Sequence, residues 1–368
     1  MHKYLWIFYF ALSPFLLTSS TFDSFAFKQS IFLLFLGVQS LFFAYCINTK
    51  SIYFKLKHLD YLIIFVFILR CSTSFYYLDT LKLYPSLGTL TFEFFLLLFY
   101  LQLRILKIDL KTIDSIIKAL CFSCFTIFLL QALSIVKPLI FTNRFDANFF
   151  HPNILGIIFC SFLIYFHSSC EKQIKYYFIA IILLLVSFSK VAYFIYFTYL
   201  LVKYRFHLKI ILFIFFAYCF FTFNNQDSLN KFRNNLQRSL QIKSHIYKAS
   251  LNAIYQKPLG YGTGLYAYKI QKFLPDSFHL IFPNPNHHTL YKAHNFILEL
   301  TFESGLFMLI FLLYSIIYLL SFQKSPIKNT LFVLVIASMT SMHLNYPESQ
   351  ILFLLLLSYL ESQKEEYL

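Results

Sequence analysis

Apolar runs long enough to cross a bilayer recur from one end of this chain to the other. A bilayer core calls for roughly 20 apolar residues of α-helix. Runs of that order fall at about 4–19, 30–47, 59–78, 86–103, 117–136, 153–168, 174–188, 190–203, 209–223, 295–320, 330–345 and 349–361. Charge is too sparse for a water-covered surface: 13% of the 368 residues are charged, against about a quarter in a soluble domain. In lipid the backbone must satisfy its own hydrogen bonds, and a helix does so within one segment. The expectation is an all-α polytopic membrane protein of about twelve transmembrane helices.

The run "YYFIAIILLLVSFSKVAYFIYFTYLLV" reads either as one long helix or as two short ones joined by a tight turn. Basic residues concentrate in cytoplasmic loops, and this arbitrates. With the run split, sixteen lysines and arginines between Lys3 and Lys364 fall on the inner side, against Lys28, Lys82, Lys137, Arg144 and Lys190 in the short outer loops. Merging the pair scrambles that bias, so the split is kept and both termini are expected in the cytoplasm. The first run is read as an uncleaved helix, although "SFA" at 24–26 loosely resembles a signal-peptide cleavage site. The cysteines lie in or beside apolar runs, and Cys121 and Cys124 read as small core residues.

Three regions follow: a membrane domain of nine spans (1–223), one large outer loop (224–293), and the last three spans with the C-terminus (294–368). The loop holds nine basic residues against Asp227 and Asp276. An anionic partner on the outer face explains such a charge, either lipid headgroups or a diphosphate substrate. Within it, 244–258 predicts a helix with Ile246, Tyr247, Leu251, Ile254 and Tyr255 near a 3.6-residue period, ended by Pro258. Such a helix can lie in the interface with Lys248 and Lys257 towards headgroups.

"PLGYGTG" then places Gly260, Gly262 and Gly264 within five residues, in a chain with seven glycines. Successive backbone N–H groups there suit an anion cradle, and a tight turn after a helix is the equal alternative. His279, His287, His288 and His294 follow without the cysteines or H-E-x-x-H of a zinc site. No metal and no cofactor is expected.

Ionisable groups within spans are costly and usually paired or functional. Arg70 and Glu93 each lie roughly 16 Å from the inner ends of adjacent antiparallel spans at 1.5 Å per residue, which predicts an ion pair between them. Read as one helix, 295–320 puts Glu299 and Glu303 at about 140° and 180° from His294. Glu303 is then expected to face a neighbouring helix as a structural partner. His294 and Asn295 sit at the outer boundary.

The ordered motifs carry a resemblance. "TNRFDANFFHPNILG" brings Arg144 before a span opened by Pro152 and Asn153; "SFSK" ends in Lys190; Lys243 precedes an aromatic helix and "PLGYGTG"; "HN" at 294–295 and E-x-G at 303–305 open the next span. The set resembles the O-antigen ligase and O-antigen polymerase superfamily of bacterial inner-membrane glycan enzymes, over about residues 140–310. The resemblance implies metal-independent glycosyl transfer on the periplasmic face, from a glycan on undecaprenyl diphosphate. The acceptor is lipid A-core in a ligase, the first choice here, or another undecaprenyl-linked repeat in a polymerase. It implies Arg144 as a contact to the donor diphosphate, Lys190 and Lys243 at positions usually held by arginine, and His294 as the group that orients or deprotonates the acceptor hydroxyl. Membrane lipids are the other implied partner, and nucleic acid is not one. A lipid-linked oligosaccharide flippase remains the reading from a different class, with no clear internal repeat to support it.

Overall fold

The computed structural model describes residues 2–15, 24–49, 55–76, 83–133, 152–169, 173–203, 226–275, 278, 293, 295–339, 344 and 347–363. Among these the chain is helical and carries no strand. The helices are α1 (His2–Leu12), α2 (Ser24–Thr49), α3 (His58–Tyr76), α4 (Leu83–Leu106), α5 (Leu110–Ala132), α6 (Pro152–Ser168), α7 (Ile174–Ser187) and α8 (Lys190–Lys203). After them come α9 (Gln226–Gln256), α10 (Phe296–Ser304), α11 (Leu306–Ser321), α12 (Pro326–Ser338) and α13 (Pro347–Gln363). Segments of α2 to α5 are long and apolar enough to cross a membrane, and much of α6, α7, α11 and α12 is apolar but shorter. The expected span at 209–223 lies outside the described residues.

Local chemistry sets the boundaries. Asp109 caps α5 by accepting from the Thr112 N–H at 3.0 Å, and Ser325 caps α12 with Pro326 at its first position, where proline's missing N–H costs nothing. The run at 174–203 is two helices, turning at Phe188, which takes φ 47°. Ser187 and Ser189 hold that turn: the Ser189 N–H donates to Ser187 Oγ at 3.3 Å.

Helix α6 is the centre. Every residue from Ile154 to Phe166 is buried, as expected of a helix that is apolar all round. It packs against α7, α8 and α12. In lipid such contacts rest on close van der Waals fit and small residues. Gly156 supplies one: a Cβ there would lie 2.4 Å from Ser189 Cβ and 2.7 Å from Ser187 Oγ. Buried polar groups stitch other helices together. The Trp6 indole donates to Gln39, Gln39 to Gln102 at 2.8 Å, and Gln102 to Ser40 at 2.7 Å, joining α1, α2 and α4.

A chain of contacts gathers the lysine-rich ends of many helices at one end of the bundle. Lys3 meets Asp109; Arg104 meets Asp60 at 3.0 Å; Lys57 donates to the Glu361 carbonyl; Tyr318 donates to the Glu361 carboxylate. Lys328 donates to the Leu320 carbonyl and Asn329 to Ser168, while Lys203 donates to the His167 carbonyl and Lys118 pairs with Asp114. Helices α3 and α11 run antiparallel away from this end. His58 touches Tyr314 and Tyr318, Phe65 stacks on Phe311 with ring centres 4.2 Å apart, and Arg70 reaches Ser304.

At the opposite end sits a second, smaller core. Ile246, Ala249, Ala253 and Ile254 of α9 pack with Tyr266, Ile270, Leu274, Phe278, Ala293 and Phe302. Two expectations change here. The helix expected at 244–258 begins at Gln226, and the span expected at 295–320 is two helices, because Gly305 takes φ 82° and ψ −178°. That conformation is essentially open only to glycine, so angles reckoned along one continuous helix hold only as far as Ser304.

Candidate functional site

The start of α10 is pinned from both sides of position 294. Asn295 is its N-cap, and its Oδ1 accepts from the Leu298 N–H at 3.0 Å. Glu299, one turn in, accepts from the Ala293 N–H at 3.0 Å. His294 itself lies outside the described residues, as do Arg144 and the histidines at 279, 287 and 288. With its Oδ1 committed to the cap, Asn295 has its amide N–H groups for the Tyr247 hydroxyl, with which it is hydrogen-bonded. Lys243 stands four residues before Tyr247 on α9, and residues at that spacing are neighbours on a helix face. Burial lowers the Lys243 ammonium pKa. Burial also raises the Tyr247 phenol, an effect that the Asn295 bond partly offsets. Asn295 and Tyr247 thus join the start of α10 to α9, with Lys243 one turn earlier on α9.

A crossing of two glycines holds α10 in place. A Cβ on Gly260 would lie 2.4 Å from the Glu303 carbonyl oxygen, and one on Gly305 would lie 2.5 Å from that of Pro258. The backbones are bonded across this contact: Tyr261 N–H to Phe302 O at 3.0 Å, Gly262 N–H to Glu303 O at 2.9 Å, and Leu306 N–H to Pro258 O at 2.8 Å. The Gly260 N–H bonds to Lys257 O and the Thr263 N–H to Ser74 Oγ. The N–H groups of residues 260–263 are therefore committed to the protein's own acceptors, and Gly260 works by close approach. Gly262 and Gly264 take φ 101° and 72°, turning the chain so that Thr263 reaches α3. There the Thr263 hydroxyl donates to the Arg70 carbonyl at 3.1 Å.

Beneath the crossing lies a charge cluster in which Arg70 and Glu303 are buried and Glu93 is half-buried. Arg70 Nε donates to both Glu93 oxygens at 2.8 Å, and its Nη2 reaches Glu303 at 3.0 Å. Glu303 also accepts from the Tyr266 N–H at 3.3 Å. One guanidinium thus serves two carboxylates, tying α3 and α4 to α10 and to the glycine loop. Arg70 meets the partner its depth predicts and a second that sequence spacing does not reveal. Nothing in the local sequence pattern marks Tyr247 or Thr263 for these contacts, and only its spacing from the Asn295 cap marks Glu299.

Lys190 opens α8 at the same end, exposed, on the hairpin that Gly156 receives. Among the described residues no group of three or more His, Cys, Asp or Glu side chains is placed to hold a metal ion.

The fold and this arrangement define an all-α membrane protein with a polar platform built over one end of its helices. Residues 154–313 match the O-antigen ligase family, in agreement with the O-antigen ligase and polymerase superfamily that the ordered motifs resemble. The match runs from the central helix through the hairpin, α9 and the glycine crossing into α11. No curated protein and no solved structure matches the chain. The match supports a bacterial membrane protein of the O-antigen ligase or polymerase kind, a family that implies lipid-linked glycan substrates.

Proposed function

We propose that the protein is an O-antigen ligase, moving a glycan from undecaprenyl diphosphate to lipid A-core on the periplasmic face of the inner membrane. The observation that carries this reading is the platform beside position 294, inside the matched segment and opposite the lysine-rich end. Basic residues favour the cytoplasmic side, so the lysine-rich end with both termini faces the cytoplasm and the platform faces the periplasm.

In this reading an acceptor hydroxyl oxygen attacks the anomeric carbon of the donor sugar. The bond from that carbon to the diphosphate oxygen breaks, undecaprenyl diphosphate departs, and the hydroxyl proton passes to His294. An imidazole with a pKa near 6.5 is largely neutral at periplasmic pH and can accept it. Asn295 and Glu299 fix the backbone on either side of that histidine. The leaving diphosphate gathers negative charge as the bond breaks, and fixed positive groups there lower the barrier. Arg144, Lys190 and Lys243 are assigned that role. Lysine retains the charge but lacks the bidentate fork of arginine, so Lys190 and Lys243 act as point charges. Gly260, Gly262 and Gly264 serve the donor site indirectly, by holding the loop against α10.

The deciding experiment reconstitutes the full chain in vesicles with purified lipid-linked glycan, with and without lipid A-core. Transfer to lipid A-core that His294→Ala abolishes supports the ligase. Elongation of lipid-linked glycan without lipid A-core makes it a polymerase instead, and undiminished turnover in His294→Ala removes the histidine from the mechanism.

A further inference from the structure

We propose that the last turns of α9 and the residues just after it lie against an anionic phospholipid surface, with Leu251, Tyr255 and Leu259 at the boundary between headgroups and acyl chains. The single apolar face expected of this helix is divided in two. Ile246, Ala249, Ala253 and Ile254 are buried against α10 and the turns before it. Leu251, Tyr255 and Leu259 stand open instead, Tyr255 with 88% of its surface exposed.

The position of this open stripe names its occupant. The 2.8 Å bond from the Leu306 N–H to Pro258 O holds Leu259 beside the first turn of α11. Leu306, Phe307 and Ile310, all exposed, begin the outward face of that apolar helix. Leu259 at the end of the stripe therefore adjoins the exposed face of an apolar helix whose composition suits it to lipid. Charge selects the kind of lipid. No acidic residue falls between Asp227 and Asp276, and Lys248 shares the helix face of Leu251 and Tyr255 by its three- and seven-residue spacing. Lys257 follows at the helix end, its Nζ 5.2 Å from the centre of the Tyr261 ring. Leucine and tyrosine flanked by lysine is the pattern of a helix held at a membrane surface by apolar burial and by attraction to anionic headgroups. This proposal rests on the membrane class of the protein and stands whatever reaction it catalyses.

The test places tryptophan on the stripe of the full-length protein in phosphatidylglycerol vesicles. The parent chain has one tryptophan, Trp6, fully buried, so the added emission is read by difference. Tyr255→Trp and Leu251→Trp are expected to lose that emission to lipids brominated high on the acyl chain and to resist aqueous iodide. Gln256→Trp, about 100° round the helix, is expected to respond to iodide. Iodide quenching of both stripe variants overturns the proposal. So does shielding from iodide without quenching by brominated lipid, since protein rather than lipid then covers the stripe. Replacing phosphatidylglycerol with phosphatidylcholine should weaken the brominated-lipid quenching; an unchanged value overturns the selection of anionic lipid.

Discussion

Gly305→Ala is the most exacting perturbation of this structure. At φ 82° and ψ −178° an L-residue carries a backbone strain of about 1–3 kcal/mol. Its Cβ would also lie 2.5 Å from Pro258 O, 2.6 Å from Leu259 C and 2.9 Å from Leu259 Cα. All three are backbone atoms, so no side chain can rotate to make room. Relief requires the two backbones to part, and parting gives up the Leu306–Pro258, Gly262–Glu303 and Tyr261–Phe302 bonds. At about 1 kcal/mol net for each, strain and lost bonds together come to about 4–6 kcal/mol. That is a large part of the roughly 5–15 kcal/mol by which folded proteins are stable. The assay is thermal unfolding of purified protein in detergent, followed by the fraction that stays monodisperse after heating. Gly37→Ala is the control, since a Cβ there meets nothing within 4 Å and alanine in a helix is as good as glycine or better by up to about 1 kcal/mol. Equal midpoints for the two variants would refute the reasoning.

Two further outcomes follow from the polar contacts. Arg70→Met leaves buried Glu303 and half-buried Glu93 together without their cation and is expected to cost about 3–5 kcal/mol. The exchange Arg70→Glu with Glu93→Arg should recover only part of that, because the new carboxylate faces Glu303; full recovery in the same unfolding assay would show that Glu303 does not depend on Arg70. At the lysine-rich end, the hydrogen bonds from Lys3 and then from Thr112 hold the Asp109 carboxyl at about 2. Its pKa in an unfolded chain is about 3.9, so its contribution to stability is present above that value and is lost as pH falls towards 2. The pair is partly exposed, which limits its worth to below about 1 kcal/mol. Asp109→Asn should therefore be slightly less stable than the parent at pH 6, with the difference vanishing near pH 2.

The membrane class was legible because lipid leaves a chain few choices. The split at Phe188–Ser189 was legible because merging it would have carried lysines to the wrong side. Arg70 and Glu93 could be paired from depth alone, since adjacent antiparallel helices fix which levels meet. Glu303 was expected to face a neighbour, but its partner is 233 residues away in sequence, and no local pattern records that. The break at Gly305 is hidden for a similar reason. One glycine in an apolar run is often tolerated within a helix, and only the approach of Pro258 and Leu259 makes it a turn. The first half of α9 carries Leu229, Phe232, Leu236 and Leu240 at a spacing of three to four residues, a helical stripe diluted by the many Asn, Gln and Ser residues around it. Of the candidate site, the cap at Asn295 was written in the residue type, whereas Tyr247 read as one more aromatic on an apolar face.

The crossing of Gly260 and Gly305 has a consequence for how this chain can vary. The backbone leaves that point at Tyr261 and returns to it at Ser304, so the two ends of the intervening chain are held together. Lengthening a loop whose ends are already held adds little: each doubling costs only about 0.6 kcal/mol in closure entropy. Residues inserted into the sequence between 276 and 292 would lengthen the chain between the two sides of the crossing while its backbone bonds kept α10 and α11 in place. The chain can thus vary in length there without any adjustment of the helices on either side of the crossing.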